Sequence, residues 1–321
     1  MIGVIGGGAW GTALAQVLAQ SEDVVLWARE NHVVDAINVA HENPDFLPGV
    51  ALSPRIRATG VTGDLAVADV WLVVAPAQHL RAVLAACPMA GRPALVLCAK
   101  GIEAGTLKLM AEVAGEVTDS PVAVLSGPTF AGEVARGLPT AVTLASADAA
   151  LGTVLVGRLA RPAFRPYLSD DVPGAEIGGA VKNVLAIACG VVEGAGLGLN
   201  ARAALIARGF AEMTRFGLAR GARAETLAGL SGLGDLVLTC SSANSRNFAL
   251  GSGIGRGECV SALLAGARTV AEGAATAPVL VAAATAARVD MPIARAVADL
   301  LAGAPVADTI SALLARPLRA E

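Results

Sequence analysis

The sequence predicts an α/β fold in which an N-terminal Rossmann-type parallel sheet domain is followed by an all-α domain. A glycine-rich motif at Gly6–Gly11 directly follows an apolar run. Apolar runs alternate with helix-like segments through the first half, whereas long alanine-rich segments fill the second half. A chain of 321 residues also exceeds one ordinary compact core and fits two domains.

Seven apolar runs predict the strands of the sheet. Each run is continuous rather than alternating, which is typical of strands that are buried on both faces. Helix-like segments at Thr12–Gln20, Gln78–Ala86 and Thr106–Gly115 lie between them, so we expect parallel strands joined by crossover helices. The seven runs are Met1–Ile5, Val24–Trp27, Val70–Ala75, Ala94–Cys98, Val122–Leu125, Thr140–Ala145 and Phe164–Leu168.

The second half changes in character near Ser169–Pro173. Its long segments are rich in alanine, and none of them has a clear strand pattern. We therefore predict a sheet domain of residues 1–171 and an all-helical domain of residues 172–321. The helical segments are Ala175–Glu193, Ala201–Arg220, Glu272–Arg288 and Pro292–Leu301.

Composition and charge argue against two broad classes of protein. Hydrophobic residues make up 55% of the chain and its mean hydropathy is +0.62. However, glycines interrupt the uncharged run Met1–Ser21, and the run Gly273–Ala287 is short and contains Pro278, so we expect no membrane span. The net charge is −3 without a basic cluster, which argues against nucleic-acid binding.

The cysteines favour a reduced, cytoplasmic protein. They are odd in number, widely spaced and form no C-x-x-C pair, so we predict neither a disulfide framework nor a metal site. No lysine or arginine precedes the first apolar stretch, so we expect no secretory signal. The five are Cys87, Cys98, Cys189, Cys240 and Cys259.

The motif Gly6-Gly7-Gly8-Ala9-Trp10-Gly11 has the form G-x-G-x-x-G and predicts a dinucleotide site. It follows a strand, begins a helix and is followed by a second strand, which is the context that the motif requires. Gly6 permits the tight turn, Gly8 lets the pyrophosphate approach the backbone, and Gly11 permits close packing of helix and strand. The helix N-terminus then binds the anion.

The end of the second strand indicates which dinucleotide is bound. An acid there favours NAD, whereas an arginine accepts the 2′-phosphate of NADP. Arg29 precedes Glu30 after this strand, which favours NADP and leaves NAD open. His32 lies at the same edge and is a further candidate for the cofactor site.

Lys182 is the candidate acid–base. The second domain contains no histidine and no other lysine, and small apolar residues flank Lys182. Burial lowers the pKa of a lysine, which suits it to proton transfer near neutral pH. A lysine that extends its ammonium group to the surface is the alternative.

Further polar residues follow two strands and precede a predicted helix. Lys100 and the segment Ser126–Ala131, which contains Thr129, come after strands whose carboxyl ends are expected to meet ligands. Asp235 is a candidate to orient Lys182 or a substrate hydroxyl. The loop Ser241–Asn247 supplies hydroxyls and an arginine, as a phosphate requires.

Taken in order, these motifs resemble the bacterial-type NAD(P)-dependent glycerol-3-phosphate dehydrogenases. The resemblance extends from residue 1 to about residue 300, and it implies interconversion of dihydroxyacetone phosphate and sn-glycerol 3-phosphate for phospholipid synthesis. Ala9 departs from the family, in which a serine is common. The motifs are Gly6-Gly7-Gly8-Ala9-Trp10-Gly11, Cys98-Ala99-Lys100-Gly101, Ser126-Gly127-Pro128-Thr129-Phe130-Ala131, Val181-Lys182-Asn183, Gly232-Leu233-Gly234-Asp235, Ser245-Arg246-Asn247 and Val270-Ala271-Glu272-Gly273.

The resemblance also implies a role for each matching residue. Lys182 is implied to be the proton acceptor in the oxidation. The implied substrate contacts are Lys100, Gly127, Asp235, Ser245, Arg246 and Asn247. Thr129, from its place after a strand, and Lys182, as the acid–base, are the other candidates for the substrate site. The implied cofactor contacts are Trp10, Arg29, Ala131, Arg246, Val270 and Glu272. The further candidates for the cofactor site are Gly6, Gly8, Ala9, Gly11, His32 and Lys100.

Two other functions stay open at this point. One is a hydroxy-acid dehydrogenase with a catalytic lysine, of the 6-phosphogluconate or 3-hydroxyisobutyrate type; the Ser245–Asn247 loop and the Thr129 motif argue against it. The other is a non-catalytic NADP-binding redox sensor, because a fold alone never excludes one. The sequence favours NADPH over NADH as cofactor and leaves a homodimer open.

Overall fold

The computed structural model describes residues 1–89, 91–265 and 271–317, which form two compact units. The sheet unit comprises Met1–Lys100 and Lys108–Glu176, and the helical unit comprises Gly101–Leu107 and Ile177–Glu321. The boundary between the two units thus lies at Glu176, a few residues beyond the predicted boundary at residue 171. The short segment Gly101–Leu107, which comes earlier in the sequence, belongs to the helical unit. The boundary at residue 171 stays a prediction about where an independent domain ends.

The sheet unit contains one eight-stranded sheet with the order β3-β2-β1-β4-β5-β6-β7-β8. All seven predicted runs are strands, and the sheet is parallel except where β6 pairs with β7. Strands that are buried on both faces show the same continuous apolar pattern in either direction, so the pattern could not reveal this pair. The strands are β1 Ile2–Ile5, β2 Val24–Trp27, β3 Ile56–Thr59, β4 Val70–Val73, β5 Ala94–Leu97, β6 Val122–Ser126, β7 Thr140–Ala145 and β8 Phe164–Ser169.

Sequence analysis missed the edge strand β3. This strand has only four residues, and Arg57 within it is exposed, so no apolar run marks it. It pairs in parallel with β2 over its whole length, which shows that pairing to a neighbour rather than its own composition defines it.

Helices cover both faces of the sheet. Val4 and Leu72 pack into a core on one face, whereas Trp71 and Val73 pack into a separate core on the other face. This alternation along β4 confirms the two-sided burial that the continuous runs predicted. The helices of this unit are α1 Ala9–Leu18, α2 Asn31–Ala40, α3 Leu80–Ala86, α4 Met110–Val117, α5 Ala131–Ala135 and α6 Ala149–Leu159.

One predicted helix begins later than expected. The pattern predicted a helix from Thr106, but α4 begins at Met110. Gly105 and Leu107 both have positive φ angles, of 83° and 60°. An α-helix requires negative φ at every residue, so these two residues delay its start.

The helical unit contains α-helices and one turn of π-helix, Leu230–Gly234, and its described residues form no strand. Its longest helix, α7, is the centre around which the site is built. The helices are α7 Val172–Gly194, α8 Gly198–Ala219, α9 Ala224–Leu227, α10 Asp235–Cys240, α11 Arg246–Gly255, α12 Val260–Ala265, α13 Glu272–Ala286, α14 Pro292–Leu301 and α15 Val306–Leu314.

Among the described residues, α7 is long and apolar enough to cross a membrane by length and composition. Its apolar window is entirely buried within the protein, however. A core helix of a globular protein meets the same length and composition criteria, so this single helix is weak grounds for a membrane span.

Glycines allow α7 and α11 to cross at close range. A Cβ atom added to Gly190 would lie 2.1 Å from the carbonyl oxygen of Phe248, and one added to Gly251 would lie 2.0 Å from that of Ile187. Any side chain at these positions would therefore clash with backbone. The same close approach recurs one turn further along, at Gly194 and Gly255.

Candidate active site

The glycine motif joins β1 to α1 and has the geometry that a dinucleotide loop requires. Gly6 has a φ of 123°, which residues with a side chain rarely adopt. A Cβ on Gly11 would lie 1.9 Å from the carbonyl oxygen of Gly6, so this residue permits the close packing of α1 against the loop. These two structural reasons for glycine match those inferred from the sequence.

Gly8 differs, because among the described residues that do not adjoin it, no atom lies within 4 Å of a Cβ built on Gly8. Packing within the protein therefore does not require glycine here, whereas the close approach of a pyrophosphate to the backbone would require it. The N-terminus of α1 has neither a side-chain cap nor an acidic residue in its first turn. Its free N–H groups and positive dipole end suit a pyrophosphate, so these residues fit a dinucleotide.

Ala9 and Trp10 begin α1 beside Gly8. Ala9 keeps its backbone N–H group although it lacks the hydroxyl that is common in the resembling family. Trp10 is partly buried and packs against the core on one face of the sheet. Both residues thus lie at the helix end that suits the pyrophosphate.

Two side chains that follow β2 contact carboxylates. From the sequence, the residues at this edge are predicted to distinguish NAD from NADP. The Nε and Nη2 atoms of Arg29 donate to the same oxygen, Oε1 of Glu30, at 3.0 and 2.8 Å. The Nε2 atom of His32 lies 2.7 Å from Oδ2 of Asp45. Arg29 and His32, the two candidates at this edge, therefore each contact a carboxylate, and the contact of His32 was not evident from the sequence.

The carboxyl ends of β5 and β6 lie side by side and bring several predicted residues together. The ammonium group of Lys100, after β5, donates to the carbonyl oxygen of Gly127, after β6, at 3.1 Å. The hydroxyl of Thr129 donates to the same oxygen at 3.3 Å. Gly127 has a φ of 156° and approaches Val142 so closely that a Cβ would lie 2.9 Å from its Cα. Ala131 begins α5 directly after this loop.

Lys182, Asp235 and Thr239 form a buried polar cluster in the helical unit. The Nζ atom of Lys182 on α7 lies 3.1 Å from Oδ1 of Asp235 and donates to the hydroxyl of Thr239 at 2.9 Å. The hydroxyl of Thr239 in turn lies 3.2 Å from Oδ1 of Asp235. The alternative of a lysine that extends to the surface is wrong, since Lys182 is only 7% exposed.

This cluster can hold and deliver a proton. Asp235 is fully buried, and its carboxylate stabilises the charged ammonium group of Lys182 in surroundings from which water is largely excluded. The contact between Asp235 and Lys182 suits the first of the two roles predicted for Asp235, the orientation of Lys182. Asp235 begins α10 immediately after the π-helical turn, and such turns occur frequently at functional sites.

The predicted phosphate loop does lead into a helix, α11. Ser245 is the N-cap residue, and its side chain accepts a hydrogen bond from the backbone N–H of Phe248 at 3.2 Å. Arg246 is the first residue of α11, and its exposed side chain has no hydrogen bond or ion pair to any residue of the described ranges. An exposed guanidinium at a helix N-terminus suits a phosphate.

Asn247 is more deeply placed than the sequence suggested. Its amide Nδ2 donates to Oδ1 of Asn183 at 3.0 Å, and its Oδ1 accepts from the backbone N–H of Gly273 at 2.9 Å. Asn247 therefore links α7, α11 and the start of α13. One hydrogen of its NH₂ group is left for a ligand.

Glu272 begins α13 next to Gly273. Val270, which the resemblance assigns to the cofactor, lies outside the described residues. Two polar residues of this centre were missed by sequence analysis, Thr239 and Asn183. Thr239 follows Asp235 by one helical turn and Asn183 directly follows Lys182, so spacing relative to the predicted residues was the available signal.

Two family profiles together match most of the chain. The profile described as NAD-dependent glycerol-3-phosphate dehydrogenase N-terminus matches residues 1–152. The corresponding C-terminus profile matches residues 171–311. The junction between the two profiles lies close to the change in sequence character near residue 171.

Individual relatives agree with these profiles. The chain is 65% identical to glycerol-3-phosphate dehydrogenase [NAD(P)+] 1 of Sphingopyxis alaskensis, over 99% of this chain and 97% of that protein. It is 62% identical to the enzyme of the same name from Erythrobacter litoralis, over 100% of this chain and 97% of that protein. The 2.1 Å crystal structure of glycerol-3-phosphate dehydrogenase from Coxiella burnetii is 36% identical, with a TM-score of 0.93 and 98% of each chain covered.

Proposed function

This chain belongs to the NAD-dependent glycerol-3-phosphate dehydrogenase family, and from that premise we propose how its own residues perform the reaction. The enzyme is an NAD(P)-dependent oxidoreductase that acts on a CH–OH group and interconverts dihydroxyacetone phosphate and sn-glycerol 3-phosphate. Its product in the reducing direction supplies phospholipid synthesis, the standard role of the family.

Lys182 is the proton donor in the reduction and the proton acceptor in the oxidation. The contact of its Nζ with Asp235 and Thr239 carries this proposal, because it holds a buried ammonium group in one orientation. A proton delivered from Lys182 to the carbonyl oxygen neutralises the alkoxide as it forms. Asp235 stabilises the cation before transfer, and Thr239 fixes the direction of the N–H groups.

Arg246 anchors the phosphate of the substrate. It is exposed at the N-terminus of α11, where its guanidinium charge adds to that of the free backbone N–H groups. The Ser245 hydroxyl has its hydrogen available, because its oxygen accepts from Phe248. The phosphate and the reacting carbonyl are at opposite ends of a small molecule, so an anchored phosphate also orients the carbonyl.

The N-terminus of α1 holds the pyrophosphate of the dinucleotide, with Gly8 giving it access to the backbone. Arg29 and His32 face the adenosine ribose, and Ala131, Arg246, Val270 and Glu272 complete the proposed set together with Lys100. When bound, NAD(P)H supplies the hydride that reduces the carbonyl carbon. Gly127 and Thr129 form the loop that Lys100 holds in place, which supports their proposed contact with the substrate.

One experiment tests this proposal directly. The purified protein should oxidise NADPH, followed by absorbance, with dihydroxyacetone phosphate and far more slowly with free dihydroxyacetone. The phosphate anchor contributes binding energy to the transition state, so the difference should appear in kcat as well as KM. Nucleotide binding without any NADPH oxidation would instead favour a redox sensor, and activity with 6-phosphogluconate or 3-hydroxyisobutyrate would favour the other dehydrogenases.

Cellular location and assembly belong to the same proposal. We place the enzyme in the cytoplasm, because its five cysteines are spaced without a pattern for disulfides and all are free in the structure. We also propose a homodimer as the assembly to test first, since a two-fold dimer is the commonest arrangement of oligomeric enzymes.

A further inference from the structure

We propose that Asn43 is a positioning residue of the dinucleotide site, which makes the backbone N–H of Gly8 point toward the pyrophosphate. The proposal rests on the proposed function, because it concerns how the glycine loop binds NAD(P). Asn43 follows α2, lies outside every motif of the sequence and is fully buried. A buried amide needs hydrogen-bond partners, and those of Asn43 are in the glycine loop and the start of α1.

The amide of Asn43 bonds to two groups that are adjacent to Gly8 in space. Its Nδ2 donates to the carbonyl oxygen of Gly7 and to the hydroxyl of Thr12, each at 2.8 Å. The Thr12 hydroxyl in turn donates to the same Gly7 oxygen at 3.3 Å. Both hydrogens of the Asn43 amide are therefore used here, and the Gly7 carbonyl accepts from two side chains.

Asn43 is itself held in one orientation by its own turn. Its Oδ1 accepts a hydrogen bond from the backbone N–H of Phe46 at 3.2 Å. Its backbone carbonyl accepts from the N–H of Leu47, a buried residue, at 2.9 Å. Because Oδ1 faces a donor and Nδ2 faces two acceptors, a flipped amide would lose all three side-chain bonds. Asn43 can therefore define the direction of the carbonyl that it binds.

The Gly7 carbonyl belongs to the same peptide unit as the N–H of Gly8. This peptide is trans, so its carbonyl and N–H groups point in opposite directions. Because Asn43 holds the carbonyl in the interior, the Gly8 N–H points outward. Within the described ranges, no residue accepts a hydrogen bond from this N–H. It is therefore available to a pyrophosphate oxygen, on the side where Gly8 is exposed.

Packing fixes where Gly7 lies, whereas the hydrogen bonds fix how its carbonyl points. A Cβ on Gly7 would lie 2.5 Å from the Cβ of Ala28, so the loop backbone is pressed against the residue that follows β2. Without Asn43, the buried Gly7 carbonyl would keep only the longer bond from Thr12. An underbonded carbonyl turns toward water, and the Gly8 N–H then turns away from the ligand with it.

The test measures the dissociation constant of NADPH by fluorescence titration without substrate, in wild type and Asn43→Ala. We expect the dissociation constant to rise roughly tenfold in Asn43→Ala, as for the loss of one hydrogen bond to a charged group. In steady-state kinetics, KM for NADPH should rise with it, whereas kcat at saturating NADPH should fall far less. The pyrophosphate does not react, so its contacts contribute equally to the ground state and the transition state.

Asn38→Ala is the control for the loss of a structural amide. The Asn38 side chain in α2 also bonds to backbone of the sheet unit, donating to the carbonyl of Ala58 at 3.0 Å and accepting from its N–H at 2.8 Å. These bonds join α2 to β3 and do not involve the glycine loop. We therefore expect Asn38→Ala to lower the midpoint of urea denaturation and to leave the dissociation constant of NADPH unchanged.

Thr12→Val is the second variant, for use if Asn43→Ala does not fold. Valine has nearly the shape of threonine, but it removes the hydroxyl that bonds to both Gly7 and Asn43. The bond from Asn43 to the Gly7 carbonyl remains, so we expect the dissociation constant of NADPH to rise only about threefold.

The proposal would be overturned by a folded Asn43→Ala whose dissociation constant stays within about twofold of wild type, or by an equal rise in Asn38→Ala. It would also be overturned if Asn43→Ala does not fold and Thr12→Val binds NADPH as wild type does. A fall in kcat as large as the fall in kcat/KM would point to general damage rather than to positioning, and would count against it too. The proposed function fails by a different result, which is that wild type reduces dihydroxyacetone phosphate with neither cofactor.

Discussion

The glycine loop of the sheet unit and the Lys182 centre of the helical unit handle charge by different means. The loop offers backbone N–H groups at the start of α1, and no charged side chain takes part in its first turn. The Lys182 centre instead buries an ammonium group against a carboxylate and a hydroxyl from another helix. In the proposed function, the first region recognises an anion with backbone groups, and the second holds a proton with side chains.

The same contrast applies to glycine. In the loop, the described residues that do not adjoin Gly8 leave space around a Cβ built on it, and we propose that this glycine serves a ligand. In the helical unit, Gly190 and Gly251 leave space that the backbone of the facing helix fills. If Gly8 binds a ligand as proposed, glycine serves binding in one region and packing in the other, and substitution should separate the two roles.

Lys182→Ala tests the proposed role of the Lys182 centre, and we expect it to have the largest effect on activity. We expect kcat for dihydroxyacetone phosphate to fall about 100- to 10,000-fold, the range typical for loss of a general acid. The dissociation constant of NADPH should change little, because the loop at α1 is intact. Steady-state kinetics and fluorescence titration measure the two quantities.

Loss of Lys182 also leaves Asp235 buried without its cation, which destabilises a protein. The double variant Lys182→Met/Asp235→Asn removes both charges and is therefore the control for stability. If either stable variant retains near-normal kcat, Lys182 is not the proton donor.

Arg246→Ala tests whether the helical unit also binds an anion. We expect kcat/KM for dihydroxyacetone phosphate to fall roughly 10- to 100-fold, as for the loss of a charged hydrogen bond, with little change for free dihydroxyacetone. Arg246→Lys should restore only part of the loss, because a point charge lacks the bidentate geometry.

Arg256→Ala at the opposite end of α11 is the matched control, since Arg256 pairs with Glu258 at the surface. Its effect on kcat/KM should be small. If Arg246→Ala leaves the discrimination between the two substrates unchanged, the phosphate is bound elsewhere.

Two glycine substitutions separate binding from packing. Gly251→Ala should lower the free energy of unfolding by about 1–3 kcal/mol, because its Cβ would lie 2.0 Å from the Ile187 carbonyl oxygen. Gly8→Ala should leave stability nearly unchanged and weaken NADPH binding. Urea denaturation and fluorescence titration measure the two effects.

Gly115→Ala is the control for helix propensity. Gly115 lies in α4 with no atom within 4 Å of a built Cβ, so alanine there should stabilise the helix slightly. Equal losses of stability in Gly8→Ala and Gly251→Ala would remove the distinction between a glycine that serves a ligand and one that serves packing.

Glu212→Gln tests whether backbone N–H groups, rather than a cation as at Lys182 and Asp235, are enough to stabilise a buried carboxylate in the helical unit. The Glu212 carboxylate accepts hydrogen bonds from the backbone N–H groups of Ile293 at 2.8 Å and Ala294 at 3.2 Å, at the start of α14. Burial raises its pKa from 4.5 to about 7, with the charge of nearby Asp290 acting in the same direction and that of Arg215 opposing it.

Because the fold favours the protonated acid, Glu212 stabilises the protein below about pH 4.5, and this contribution is lost as the pH rises to about 7. Glutamine carries no charge but satisfies one of the two backbone N–H groups less well. We therefore expect Glu212→Gln to raise the free energy of unfolding by about 1 kcal/mol at pH 8 and to lower it at pH 5.5. Urea denaturation at both pH values measures this. A variant that is less stable than wild type at pH 8 would show that the backbone N–H groups alone compensate the charge.

The local features of this protein could be predicted from its sequence. Continuous apolar runs predicted seven of the eight strands, and glycine spacing predicted the loop between β1 and α1. Lys182 was identified because it is the sole lysine of the helical half. The strand and glycine signals each lie within a few residues along the chain, where the backbone itself brings the groups together, and the Lys182 signal depends on composition alone.

Only the tertiary structure decided how distant residues combine. Lys182 and Thr239 are 57 positions apart, and Asn183 and Asn247 are 64 positions apart, so no local pattern records their contacts. The antiparallel pairing of β6 with β7 and the close crossing of α7 with α11 likewise depend on which elements become neighbours. Composition determines which elements form and which are apolar, but contacts between them depend on packing, because a side chain acquires its partner only when the chain has folded.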